Sequence, residues 1–286
     1  MKSKLECIPC LLKQSLNAAE MVTDDQVVHE KVLKLVMKEL LDVPLGRSPP
    51  TIAHTVYSIV HDVTGCDDPY KDLKVEYNGI AMGMYPCLKG IVDDSEDRLF
   101  TAVKLAIAGN IIDFGANIQV NIKKTIKDTL ARDFAINDYP LFVKSLEDSD
   151  SILYLADNAG EVAFDRVLIE EIQEYADIIY AVKKEPIIND ATMEDAIFCG
   201  IDSLAEIVTT ADTPGTILER CDQEFVDMFR SSDMIISKGQ GNYESISEEP
   251  GNIFFMLLAK CPVIATDLGV KIGCAVLKRG TGAVKV

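Results

Sequence analysis

Ser151-Ile152-Leu153-Tyr154-Leu155-Ala156-Asp157-Asn158-Ala159-Gly160-Glu161-Val162 is the stretch that decides how this chain folds. Its first five residues form a short apolar run suited to a buried strand. From Val162 to Tyr175 the apolar residues return at helical spacing. In open α/β sheets, ligands bind at the edge where such a strand gives way to a helix. Asp157 and Asn158 place two hard oxygen donors side by side there, which suits Mg²⁺ or Mn²⁺ better than zinc. Gly160 lets the backbone turn tightly and come close to a bound group. The helix that follows aims its free N–H groups at the same spot, which favours phosphate.

The same rhythm continues toward the C-terminus. Further apolar runs are Ile178–Val182, Glu206–Thr209, Met234–Ser237, Pro262–Thr266 and one near Ala275–Leu277, with helical stretches between them. Connections of that length join parallel strands through crossover helices. Residues 149–286 are therefore expected to form a Rossmann-like three-layer α/β domain with a mostly parallel sheet. Residues 1–148 read as a mostly helical N-terminal domain. Asp24 or Asp25 can cap a helix carrying Val28, Val32, Leu35, Val36 and Leu40, and Ser48-Pro49-Pro50 starts another. Lys71 to Ile91, Asp97 to Ile112 and Asn117 to Phe134 are expected to be helices as well.

The 286 residues allow one large domain or two ordinary ones. With 48% hydrophobic and 26% charged residues the chain should be globular. No apolar run is long enough to span a bilayer, and the N-terminus lacks a secretory pattern, so the expected compartment is the cytoplasm. The net charge of −18 argues against nucleic acid and anionic membrane as partners. The eight cysteines are expected to be mostly reduced, buried thiols.

Polar residues follow each expected strand: Asp157 and Asn158, then Asn189-Asp190, Thr209, Thr210 and Asp212, Lys238-Gly239-Gln240-Gly241-Asn242, and Asp267. Parallel strands put all these ends on one edge. The expected cluster is Asp157, Asn158, Asp190 and Lys238: two carboxylates and an amide for a hard cation, and a lysine as a point charge for phosphate. Asp157 and Asp190 are separated by about one βαβ unit of ~30 residues, as neighbouring strands require. Asn110 and Asp113 share a face at the end of a very apolar helix and either cap it or contact substrate. Cys7-Ile8-Pro9-Cys10 is half of a metal site, a redox pair or two structural thiols. No GxGxxG, Walker A or GxSxG pattern occurs, so dinucleotide binding, P-loop and acyl-transfer chemistry have no support.

Together with Thr64-Gly65-Cys66-Asp67-Asp68-Pro69-Tyr70, Gly109-Asn110-Ile111-Ile112-Asp113-Phe114-Gly115, Pro186-Ile187-Ile188-Asn189-Asp190-Ala191-Thr192 and Lys238 to Tyr243, these segments resemble the metal-dependent damage-control phosphatases. The CxxC resembles that of their prokaryotic and archaeal subfamily I, and the Arg-Thr-x-Lys motif of the sugar-phosphate branch is absent. The resemblance implies a phosphatase for phosphate esters of damaged or side-product metabolites, here nucleotide-related. It also implies a divalent cation (Mn²⁺, Ni²⁺, Co²⁺ or Mg²⁺) on Asp157, Asn158 and Asp190, with Lys238 on the substrate phosphate. The expected partner is a small-molecule phosphate ester, contacted also by Glu161, Asn110, Asp113 and Asn242. Glu161 or Asp113 would orient an attacking water. An aspartyl-phosphate route through Asp157 is the rival mechanism, disfavoured because Ala159 stands where that chemistry needs a second Asp. The rival function is a non-enzymatic metal or redox protein centred on Cys7 and Cys10.

Overall fold

A computed structural model describes residues 1–110, 126, 127 and 129–282. Asp113 and most of the helix expected over Asn117 to Phe134 lie outside the described residues. Among the described residues seven strands form one sheet: β1 (Ile136–Asn137), β2 (Ser151–Leu155), β3 (Asp177–Val182), β4 (Glu206–Thr209), β5 (Met234–Lys238), β6 (Ile253–Leu258) and β7 (Ala275–Arg279). Their order is β1-β7-β6-β5-β2-β3-β4, parallel throughout except between β6 and β7. From β2 the chain builds outward to β3 and β4, then crosses back to place β5 on the other side. The order therefore reverses between β2 and β5, and their carboxyl ends open the crevice that parallel sheets use for ligands.

Side chains on a strand alternate between faces, and both faces here are apolar. Ile152 and Tyr154 of β2 enter one core with Ile236, Phe254 and Met256, while Leu153 and Leu155 enter the other with Ile235, Phe255 and Leu257. Helices must then cover both sides, which gives the expected three layers. Helices Lys71–Asp93, Arg98–Gly109 and Val162–Ile172 cover the first face, and Gln223–Ser231, Gly239–Ile246 and Pro262–Leu268 the second. Arg98–Gly109 buries Val103, Leu105 and Ile107 completely, each contributing roughly 1.5–3 kcal/mol. Gly109 brings it close to Val162–Ile172, since a Cβ there would lie 3.1 Å from the Phe164 ring.

Two expectations change. Pro262–Thr266 is part of a helix, and the strand is Ile253–Leu258. Pro262 needs no N–H in a first helical turn, and the Cys261 sulfur accepts the Ile264 N–H, so this segment starts a helix. Asp267 lies in that helix, and its carboxylate accepts the Tyr243 hydroxyl at 2.7 Å. Nor does the boundary at 148 separate two cores: residues from Tyr77 to Leu277 share one, and β1 pairs with β7. Among the described residues, the first three helices, Cys7–Val22, Gln26–Leu40 and Pro49–Thr64, pack around a separate core built on Leu11, Val32, Val36, Ile52 and Val56. Asp25 caps the second of them, accepting from Val27 N–H at 2.8 Å. Ile187 and Ile188, from the loop after β3, pack against this three-helix unit. Among the described residues no helix is long and apolar enough to cross a membrane.

Candidate active site

Past β2, the chain pairs with the loop that follows β3. Asn158 bridges Asp190, the Ala159 N–H donates to Asn189 O at 2.9 Å, and the Ala191 N–H donates to Asp157 O at 2.8 Å. Backbone hydrogen bonds thus hold Asp157, Asn158 and Asp190 together at the switch point. β5 delivers Gly239 to the same place with φ 77°. A Cβ there would overlap the Asp157 carboxylate, so only glycine allows this approach.

The Asp157 carboxylate is surrounded by its own kind. Asn110 Nδ2 donates to Asp157 Oδ2 at 2.7 Å and to Glu161 Oε1 at 2.6 Å. Asn158 Nδ2 donates to the same two oxygens at 2.9 and 2.7 Å. Burial, and then the charges of Glu161 and Asp190, push the Asp157 carboxyl well above the usual range despite Lys260 and Lys238. Burial also pushes Asp190 up to about 6, against the pull of Lys183, whose Nζ lies 3.7 Å from Asp190 Oδ2.

These features fit a hard cation. Asn110 Oδ1 is buried and has no hydrogen-bond partner among the described residues, a costly state for an acceptor. Asn158 has spent Nδ2 on the carboxylates, so Oδ1 is the oxygen it can offer. Among the described residues no three His, Cys, Asp or Glu side chains cluster as a metal site by themselves. Mg²⁺-like ions commonly take one or two carboxylates and complete their shell with water, which matches Asp157 and Asp190 supplemented by an amide.

A cavity of about 330 Å³ opens in front of this group. Asn110, Asp157, Asn158 and Asp190 line it together with the apolar side chains of Leu11, Pro49, Pro50, Ala53, Ile188 and Val263. Ile188 holds φ 51°, a strained conformation for a β-branched residue of the kind that collects at functional sites. Gln240 and Gly241, in the first turn of Gly239–Ile246, and the exposed Lys260 complete the wall.

Lys238 does not line the cavity. It is fully buried, donating to Asp165 Oδ1 at 2.5 Å and to Glu161 Oε2 at 3.4 Å. Burial works against its charge, but Asp165 and Glu161 outweigh it and hold the ammonium above the usual lysine value. Tyr154 and Tyr180 donate their hydroxyls to Asp165 at 2.7 and 2.9 Å. Glu161 is equally enclosed, 2% exposed, so in this conformation it positions Asn110 and Asn158 instead of meeting substrate. Asn242 is consumed by structure: Nδ2 donates to Ala156 O and Lys238 O, and Oδ1 accepts from Thr216. The Gly160 N–H, just ahead of the helix Val162–Ile172, donates to Asn78 Oδ1 at 2.7 Å.

Lys260, Lys183, Asp165 and Asn78 escaped the sequence reading. Asp165 carried a signal, four residues after Glu161 on one helix face. Lys260 carried none, because it follows β6, the strand that was misplaced.

Glu244 also lines the cavity. Burial pushes its carboxyl up to about 7, against the Met1 amino group. The folded state then holds this proton more tightly than the unfolded chain, whose carboxyl titrates near 4.5. Stability from this group is complete below about pH 4.5 and is lost as pH rises to about 7. Glu244→Gln should flatten that decline by up to ~3 kcal/mol. Urea midpoints measured across the window test it, and an unchanged decline refutes it.

Residues 3–276 match the damage-control phosphatase ARMT1-like domain. A damage-control phosphatase of Pyrococcus horikoshii is 35% identical, covering 98% of this chain and 98% of its own. One of Archaeoglobus fulgidus is 34% identical, covering 97% and 99%. An uncharacterized protein of Methanocaldococcus jannaschii is 41% identical, covering 97% and 95%. The crystal structure of a DUF89 family protein from Pyrococcus horikoshii matches with a TM-score of 0.91 at 33% identity, covering 98% of this chain and 100% of that one.

Proposed function

The chain belongs to the damage-control phosphatase ARMT1-like family, and on that premise we propose that it is a divalent-cation-dependent phosphatase for small phosphate esters of damaged or side-product metabolites. The observation that carries this reading is the convergence of Asp157, Asn158 and Asp190 on one cavity through the bridge between two strand ends. Asp157, Asp190 and the Asn158 Oδ1 would hold the cation, taken from Mn²⁺, Ni²⁺, Co²⁺ or Mg²⁺. When bound, it supplies Lewis-acid charge that neutralises phosphoryl oxygens and lowers the pKa of water.

The chain's own groups account for the rest. The Asn110 and Asn158 side-chain amides fix the Asp157 carboxylate, each donating to both Asp157 and Glu161. Lys260 takes the role first expected of Lys238, because among the described residues it is the lysine that lines the cavity and is exposed, and a lysine acts on phosphate as a point charge. The first-turn N–H groups at Gln240 and Gly241 have no acceptor within their helix and suit an anion. Water attack is favoured over a phospho-aspartate, since Asp157 is held from both sides and Ala159 offers no acid. A nucleotide-related substrate is consistent with the apolar side chains of Leu11, Pro49, Pro50, Ile188 and Val263 in the lining, which suit a flat, weakly polar body.

The test is hydrolysis of a panel of nucleotide and sugar phosphates by chelator-treated protein, with and without each cation. Activity should appear only with cation. Lys260→Ala should raise KM roughly 10-fold, the loss of about 1.4 kcal/mol in a phosphate contact, with the unfolding midpoint unchanged. Cation-independent turnover would reject the reading.

A further inference from the structure

Cys7, Cys10 and Cys261 line the same cavity as Asp157, Asn158 and Asp190, and all three are free thiols. Cys7 and Cys10 lie at the start of the helix Cys7–Val22. Residues three apart on a helix share a face, with Cβ atoms about 5–6 Å apart. A disulfide needs roughly 3.5–4.5 Å. Closing that gap takes a local adjustment of the first turn, where the Cys7 and Ile8 N–H groups are bonded outside the helix, to Lys4 O at 3.0 Å and Leu5 O at 3.2 Å, and Pro9 has no N–H to lose.

The two thiols are not equivalent. Cys10 is exposed, and its sulfur accepts from Gln14 Nε2 at 3.2 Å. Cys7 is buried, with its sulfur accepting the Lys4 N–H at 3.4 Å, and burial pushes its thiol above the usual range. Cys261 sits on a different element, where its sulfur caps the Ile264 N–H at 3.5 Å.

We propose that Cys10 is a reversible thiol-modification site at the rim of the cavity, and that Cys7 is the thiol that clears it. The co-reactant is a low-molecular-weight disulfide, RSSR. The Cys10 thiolate attacks one sulfur; the Cys10–S bond forms, the S–S bond breaks, and RS⁻ leaves and takes up a proton. Cys7 then releases its proton to solvent and attacks the Cys10 sulfur, forming the Cys7–Cys10 disulfide and expelling the second RS⁻. Two protein thiols are oxidised and RSSR is reduced to two RSH. A bulky adduct on Cys10 fills space in front of Asp157 and Lys260, whereas the Cys7–Cys10 disulfide adds no bulk and reopens it. The effect on turnover rests on the phosphatase reading; the site and order of modification do not.

The probe is glutathione disulfide on the full-length, cation-loaded protein, read by peptide mass mapping and by turnover relative to each protein's own untreated sample. Wild type should form the Cys7–Cys10 disulfide and keep its turnover. Cys7→Ser should retain one glutathione on Cys10 and lose turnover in proportion to occupancy, reversed by reductant. Cys87, exposed and outside the cavity, reports that the reagent works. Cys87 modified while Cys10 stays free, a Cys10–Cys261 disulfide in wild type, or a Cys10 adduct without lost turnover would each overturn the proposal. If untreated protein hydrolyses no ester, the phosphatase reading fails, and the mass map alone still decides where and in what order the thiols react.

Discussion

Asp157→Asn should lower kcat on the order of 10³-fold or more, because it removes the central anionic oxygen from a preorganised, water-poor site. The same substitution should leave the chelated protein at least as stable as wild type. Asp157 is a buried carboxylate facing Glu161 and Asp190, and its charge is held there at a cost. An amide of equal size ends that repulsion while Oδ1 still accepts from Asn110 and Asn158. Kinetics with saturating cation and thermal unfolding in chelator, run on the same preparation, separate the two effects. Retained turnover would remove Asp157 from the site; a clear fall in the metal-free unfolding midpoint would make it a folding residue instead.

Lys238→Ala should destabilise the fold by about 3–5 kcal/mol, the scale for a buried ion pair that loses one partner. Asp165 and Glu161 would be left without their cation beneath two tyrosine hydroxyls. Urea unfolding should show a lower midpoint at unchanged slope. Adding Asp165→Asn to Lys238→Ala should recover part of the loss, because the two side chains form one unit. If Lys238→Ala instead raised KM and left stability intact, Lys238 would be the substrate lysine first expected and Lys260 a bystander. The two lysines therefore make opposite predictions: Lys238 moves the unfolding midpoint, and Lys260 moves KM.

That Asp157, Asn158 and Asp190 meet at one edge of the sheet was legible because each follows a strand whose composition announces it, with about one crossover unit between them. The α/β class and mostly parallel sheet were legible from the same alternation. The misassigned strand shows the limit. Ile253–Leu258 and Pro262–Leu268 are both short apolar segments, and periodicity does not separate a fully buried strand from a short helix. Cys261 as a cap and Pro262 in the first turn decide it. That slip hid Lys260, since a residue is sought at a strand end only where a strand is expected. The expected division at 148 does not coincide with a boundary between cores, for a different reason. A sheet that is apolar on both faces needs cover on both, and the cover on one side comes from Lys71–Asp93 and Arg98–Gly109, ahead of the sheet in sequence.

The sequence by itself determined which residue types stand at the carboxyl edge of the sheet: local spacing dictates where a strand ends, and Asp, Asn, Gly and Lys are what it ends on. Only the tertiary structure decided which of them face the cavity. Lys238, at the last position of β5, is sealed between Asp165 and Glu161, whereas Lys260 beyond β6 is exposed on the cavity wall. The physical reason is that charge is assigned to water or to the interior by packing across the sheet. That packing depends on a helix face supplied by Val162–Ile172 and on the strand order at the switch point, neither of which is written in the spacing around a single lysine.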